Sequence, residues 1–267
     1  MEIRLYLPRR PAAAIEYNHA MPYCLVPPPH ANPVRSRAPR PAGWAAYLAL
    51  LLLALGVALA AAQGLGFSRS VTPGLVERYA ARFGPAARNR ISGWQEFMRS
   101  IPAERRQFSG DELRLLRTVN SFFNHLPFVT DLAHWGIEDY WATPAEAVAS
   151  NGADCEDFSI AKYFALKELG VPIRRLRITY VKAVRLNQAH MVLAYYPEPN
   201  AVPLILDNLE DGVRPASERS DLIPVYGFND EDLLIARLGQ PGTSAGSSLQ
   251  IRLWRALLDK LEMELHY

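Results

Sequence analysis

The chain has 267 residues, 49% hydrophobic and 21% charged, which is apolar material enough for one sizeable core with a short appendage and excludes a chain disordered throughout. Its formal net charge is +2, but six Arg and only two Glu fall in residues 1–62, so the remainder is about neutral. Without a concentrated basic face, nucleic acid is excluded as a partner.

Residues 1–42 are rich in Pro and Arg and show no periodicity, as expected of a disordered tail or a mis-started N-terminus. A start at Met21 would leave a leader of ordinary size. No charge occurs between Arg40 and Arg69, and residues 44–62 form an almost unbroken run of Leu, Ala and Val, long enough to span a bilayer. Arg35, Arg37 and Arg40 precede it, which keeps its N-terminal end in the cytoplasm and exports the chain beyond it. The run ends in Ala60-Ala61-Ala62-Gln63, in keeping with the small-residue rule of signal peptidase. Residues 43–64 are therefore either a signal peptide or an anchor, with 43–62 as the possible membrane tether.

From 71 to 124 the pattern is helical: Leu75, Val76, Tyr79 and Phe83 recur at three- and four-residue steps, as do Leu113, Leu116, Val119, Phe122 and Phe123. Gly84-Pro85 and Ser109-Gly110 interrupt these helices. Residues 131–154 read as a short helix and turns. Residues 155–169 form a second clear helix, with Phe158, Ala161, Phe164, Ala165 and Leu169 on one face, Asp154 at the N-cap and Gly170 past the end. Three segments rich in Val, Ile, Leu and Tyr come next, at 176–184, 189–196 and 204–207, and short loops between them suggest an antiparallel sheet. A flexible stretch at 239–248 leads to an amphipathic helix over 249–265. The division expected is a domain over 65–240, then a linker and helix over 241–267.

Cys24 precedes the apolar segment, so Cys155 is the sole thiol of the exported part and has no disulfide partner there. A buried, inert Cys is the plain alternative, but Cys155 opens a helix, where free N–H groups and the positive dipole end favour a thiolate. An imidazole must take its proton, and a third polar group must orient that imidazole. Of the histidines after the leader, only His190 begins a predicted strand. A hairpin centred near Glu198-Pro199 pairs 192 with 205 and 190 with 207, making His190 and Asp207 cross-strand neighbours on one face. A one-residue slip would separate them.

Asp154, Glu156 and Asp157 surround the thiol, and anions there oppose a thiolate. They either cap the helix or bind a hard cation through oxygen. The spacing is not that of an EF-hand loop, and both readings stay open.

Trp135-Gly136, Asp139-Tyr140-Trp141-Ala142-Thr143-Pro144, Gly152-Ala153-Asp154-Cys155-Glu156-Asp157, Ala161-Lys162-Tyr163, Ala189-His190-Met191-Val192-Leu193, Leu206-Asp207-Asn208, Asp221-Leu222 and Pro224-Val225-Tyr226 occur in an order and spacing that resembles the bacterial transglutaminase-like cysteine proteinases of the LapG type. The resemblance covers about residues 75–235. It implies an α+β, papain-like or transglutaminase-like fold, with the catalytic Cys at a helix N-terminus packed on an antiparallel sheet that carries the His and Asp. It also implies a periplasmic protease with Cys155, His190 and Asp207 as its triad, and calcium dependence, with Asp154, Glu156 and Asp157 as ligands. The implied substrate is a large surface adhesin cut near its N-terminus at paired alanines, which releases the adhesin and disperses biofilm. An inner-membrane cyclic di-GMP receptor is the implied inhibitory partner, and Trp135 and the turn around Trp141 are expected near the receptor or substrate surface. The long N-terminal extension departs from a simple leader and leaves a tethered enzyme open. The rival readings are an acyltransferase using the same triad and a catalytically silent binding module.

Overall fold

The computed structural model describes residues 71–101, 112–237 and 240–266. The leader or anchor at 43–64, Cys24 and the Ser109-Gly110 break lie outside the described residues. Among the described residues no helix is long and apolar enough to cross a membrane.

The helical stretch resolves into α1 (Pro73–Phe83), α2 (Ala86–Ser100) and α3 (Glu112–Asn124). Thr72 starts α1, its Oγ1 accepting from Leu75 N at 3.2 Å with Pro73 in the first turn, where a missing N–H costs nothing. Of the expected stripes, Leu75 and Tyr79 and then Leu116, Val119 and Phe123 are buried, Val76, Phe83 and Phe122 are half-buried and Leu113 is exposed; α2, for which no stripe was expected, buries Ile91, Trp94 and Met98. Two short helices come after them, α4 (Asp131–Trp135) and α5 (Pro144–Ser150). Next is α6 (Cys155–Glu168), on which α3 and α5 pack from one side and the sheet from the other. Every residue from Asp157 to Leu166 is buried, so α6 is covered on all faces, not along the single stripe expected.

The sheet holds β1 (Leu176–Ala183), β2 (Gln188–Tyr195), β3 (Leu204–Leu206), β4 (Arg214–Pro215), β5 (Leu222–Phe228), β6 (Leu233–Arg237) and β7 (Gln240–Gly246). Their order is β4-β3-β2-β1-β5-β6-β7, antiparallel throughout, which is the α+β architecture expected. The first three strands match expectation within a residue. The remaining four were not foreseen, because Pro224 and Gly227 break the alternation in β5 and β7 is an edge strand with little apolar content. The stretch expected to be a flexible linker is thus β7, and the boundary expected at 240 falls inside the sheet.

The β2–β3 register also differs from expectation. Leu193 pairs with Leu206, Ala194 with Ile205 and Tyr195 with Leu204, a shift of two residues, because the connecting loop is centred further along the chain than Glu198-Pro199. β3 ends before Asp207, so His190 and Asp207 are not direct cross-strand partners. An even shift keeps every side chain on its face, and the two still meet diagonally.

The C-terminal helix α7 (Arg252–Leu265) is docked: Trp254 is fully buried, with its ring 5.2 Å from Phe228, 5.8 Å from Phe164 and 5.9 Å from Tyr163. Glu264 accepts from Thr143 Oγ1 at 2.6 Å and from the Tyr79 hydroxyl, tying α7 to α1 and the start of α5. Trp254→Ala is expected to cost about 3–5 kcal/mol in urea unfolding, since the helix and sheet around the ring cannot both collapse into the space. A loss below about 1 kcal/mol would mean that α7 unfolds separately from the core.

Candidate active site

The segment before Cys155 is held at several points. Asn151 closes α5 in the left-handed region, φ 62°, with its N–H bonded to Ala147 O at 3.1 Å. Gly152 then passes against the His134 ring, where a Cβ would lie 2.7 Å from Cε1, so a larger residue would have to displace that ring. Ala153 bridges to the strand-like segment at Phe128, with Ala153 N to Pro127 O at 3.1 Å and Val129 N to Ala153 O at 2.9 Å. Asp154 is thereby delivered extended as the N-cap of α6, and Cys155 becomes its first helical residue. The Asp154 side chain makes no capping bond, however, and its Oδ1 is buried without a partner. The capping explanation of the acids fails at this position.

Cys155 Sγ bonds Glu156 Oε2 at 3.0 Å. Burial, followed by the charge of Glu156, pushes the thiol well above its ordinary range, opposed by the backbone N–H of Met191. That N–H belongs to the residue after His190, so the thiol sits against the β2 segment carrying the imidazole.

His190 Nε2 and Asp207 Oδ1 are 2.7 Å apart, both side chains buried. Asp207 is acceptor-only when ionised, which places the proton on Nε2 and leaves Nδ1 for exchange with a thiol. Asp207 Oδ1 also accepts from Leu209 N at 3.0 Å, and Oδ2 accepts from Arg219 at 2.7 Å. Arg219 in turn holds both oxygens of Asp221 at 3.0 Å. Burial alone would raise Asp207, but the bonds from His190, Leu209 and Arg219 hold it down at about 2. Sequence reasoning found His190 and Asp207 and missed Arg219, which sits on an irregular turn between two strands.

Of the acids singled out, Asp154 and Glu156 come together with Asp131, which sequence reasoning did not include; one oxygen from each lies within 4.8 Å of the others. Asp131 opens α4, far upstream, so no local spacing marks it. Its Oδ2 accepts from Tyr140 N at 2.5 Å, its Oδ1 is buried and unpartnered, and burial pushes it up to about 6. Asp157 turns Oδ1 to Ala142 N at 2.7 Å and keeps Oδ2 buried without a partner. Burial, then the charges of Glu156, Asp157 and Asp131, raises Asp154 as well. Three orphaned carboxylate oxygens among like charges suit a hard cation with oxygen ligands, so these residues fit calcium.

Trp135 is half-buried, with its ring 4.7 Å from Tyr140 and 5.9 Å from Phe83. The Trp141 ring itself is buried in the core, stacked on Phe228 at 5.7 Å.

The family model of the bacterial transglutaminase-like cysteine proteinases, BTLCP, matches residues 97–221, which contain Cys155, His190, Asp207, Arg219 and the acids Asp131, Asp154, Glu156 and Asp157. Among solved structures, EGTA-treated LapG of Legionella pneumophila is 39% identical, with a TM-score of 0.57, covering 70% of this chain and 97% of that one. Calcium-bound LapG of the same organism is 40% identical, with a TM-score of 0.56 and the same coverage of both chains. Among the curated proteins none matches.

Proposed function

The chain belongs to the bacterial transglutaminase-like cysteine proteinases, and from that membership we propose that Cys155, His190 and Asp207 are a catalytic triad that hydrolyses a peptide bond in a large surface adhesin. The observation that carries this reading is the buried chain Arg219–Asp207–His190, together with the backbone N–H of Met191, the residue after His190, which acts on the Cys155 thiol, the one free thiol among the described residues. Cys155 gives its proton to His190 Nδ1 and attacks the scissile carbonyl carbon, with the N–H of Cys155 available to the oxyanion. His190 then protonates the leaving amine. Water, giving its proton back to His190, cleaves the thioester and frees the acid and the thiol. Asp207 stays ionised throughout and fixes the ring.

Asp131, Asp154 and Glu156, with Asp157 beside them, would hold calcium, whose charge would offset the carboxylates that oppose the thiolate. Support comes from the LapG relative, which is known in a calcium-bound form. The site of action in this reading is the periplasm, reached through residues 43–64, with the enzyme either freed by signal cleavage or tethered by 43–62. The catalytic domain of this reading extends past the boundary expected at 240 to take in β7 and α7. Cleavage at a di-alanine site near the adhesin's N-terminus would release the adhesin and disperse biofilm, and an inner-membrane cyclic di-GMP receptor would sequester the protease. Phe128, Leu132 and Ile137 stand exposed on the segment around Asp131 and offer apolar surface for a protein partner.

The test is an adhesin N-terminal fragment incubated with the protein and calcium, with and without a primary amine, and read by mass spectrometry. Two fragments cut between paired alanines, together heavier than the substrate by one water and free of amine, are the expected products. An amine adduct in place of the free carboxylate would replace hydrolysis by acyl transfer. An intact fragment under all conditions would favour a binding module.

A further inference from the structure

Lys162 lies about two turns beyond Cys155 on α6, hence on the same face of the helix. It is 1% exposed, and among the described residues no group accepts a hydrogen bond from its Nζ; the Phe158 ring centroid is 5.6 Å away. A lysine in such a place weakens a core, and Leu or Met would fill the same volume without burying a charge. Its surroundings are nevertheless polar. The charged groups acting on it are Asp207 and Asp211, which bracket the loop leaving β3. The same loop is gripped by two asparagines of α3. Asn120 Nδ2 donates to Asp211 O at 3.1 Å, and Asn124 Nδ2 donates to Asp207 O at 2.9 Å and Asp211 Oδ1 at 3.2 Å. These bonds fix which end of each amide is the donor, and they leave both Oδ1 atoms buried and unpartnered. An ammonium with unused donors and two amides with unused acceptors, all around one loop, are complementary, and a bridging water would satisfy both.

We propose that Lys162 is a positioning residue for the triad: its buried ammonium, water-bridged to Asn120 and Asn124, acts with Arg219 to fix the 207–211 loop and so aims Asp207 at His190. The proposal rests on the assigned roles of His190 and Asp207 and extends them to a residue that touches neither substrate nor thiol. Burial lowers the ammonium to about 7, while Asp207 and Asp211 favour its charged form. A charge kept at that disadvantage is expected where function, not packing, requires it.

The experiment compares calcium-loaded wild type with Lys162→Met and Lys162→Gln. Met keeps the length and removes the charge, and Gln keeps hydrogen bonding without it. Both variants are expected to hold the wild-type melting temperature or exceed it, because a buried charge is gone and Asp207 keeps Arg219. Both are expected to lose about tenfold to a hundredfold in kcat with KM within about twofold. The ring 15N resonances of His190, assigned by their absence in His190→Gln, should move in both variants. Unmoved resonances with wild-type kcat in either variant would overturn the proposal, and so would a loss of activity that tracks a lower melting temperature while the resonances stay in place. The resonances need no substrate, so a shift in a protein that never cleaves a peptide would sustain Lys162 as a positioning residue and refute the protease reading separately.

Discussion

Asp207→Asn is expected to lower kcat about a thousandfold while the protein stays folded. In the wild type one carboxylate accepts hydrogen bonds from His190 Nε2, the N–H of Leu209 and the guanidinium of Arg219. An amide offers one oxygen in place of two, and its NH2 turned toward the ring would favour the tautomer with its proton on Nδ1, where it cannot take one from the thiol. Arg219 retains both oxygens of Asp221, so the substitution does not strand a buried cation. The same residue sets an acid limit on stability. Asp207 is held at about 2 against an ordinary 3.8, so the unfolded chain binds the proton more readily. Its contribution, about 2 kcal/mol, is complete above pH 4 and disappears as pH falls from about 4 to 2. The stability difference between wild type and Asp207→Asn, measured by urea unfolding, should shrink over that window. A difference constant from pH 5 to pH 2 would show that the carboxylate is not held in this network.

Chelation is expected to lower activity more than a hundredfold and to reduce thermal stability, and calcium is expected to restore both. Asp131, Asp154, Glu156 and Asp157 crowd the start of α6, three of their oxygens are buried without a partner, and Glu156 bonds the thiol directly. Without a counter-charge the carboxylates repel one another and oppose the thiolate. Calcium at a hundred times its Kd would add about 2.7 kcal/mol of stability by mass action. Magnesium should restore less, because it requires a smaller octahedral shell and gives up water reluctantly. Glu156→Gln should weaken the response to calcium in a melting curve. Full turnover in excess EGTA would remove the cation from the account.

The local parts of this site were legible in the sequence, and the parts assembled from distant segments were not. Cys155 at a helix start was readable because Asp154 and Gly170 bound an apolar run whose period is short-range. His190 and Asp207 were readable as one face of a hairpin, and the two-residue error in register did no harm because side chains alternate with period two. Asp131 and Arg219 reach the site from α4 and from the turn before β5, and only the folded chain brings them near Cys155 and Asp207. Lys162 was hidden by its neighbours: a lysine on a helix reads as solvated unless the element is known to be covered on all sides. The Gln240–Gly246 strand was missed for the opposite reason, since an edge strand needs pairing and not apolar side chains.

The central claim is that the Cys155 thiol is the nucleophile of a peptidase. Its most direct test is cleavage of an adhesin N-terminal fragment by wild type and by Cys155→Ala, both in calcium, with the wild-type thiol first shown to be reduced and alkylatable. Complete cleavage by wild type, none by Cys155→Ala, and loss of wild-type cleavage in step with alkylation are expected. Undiminished cleavage by Cys155→Ala would contradict the claim.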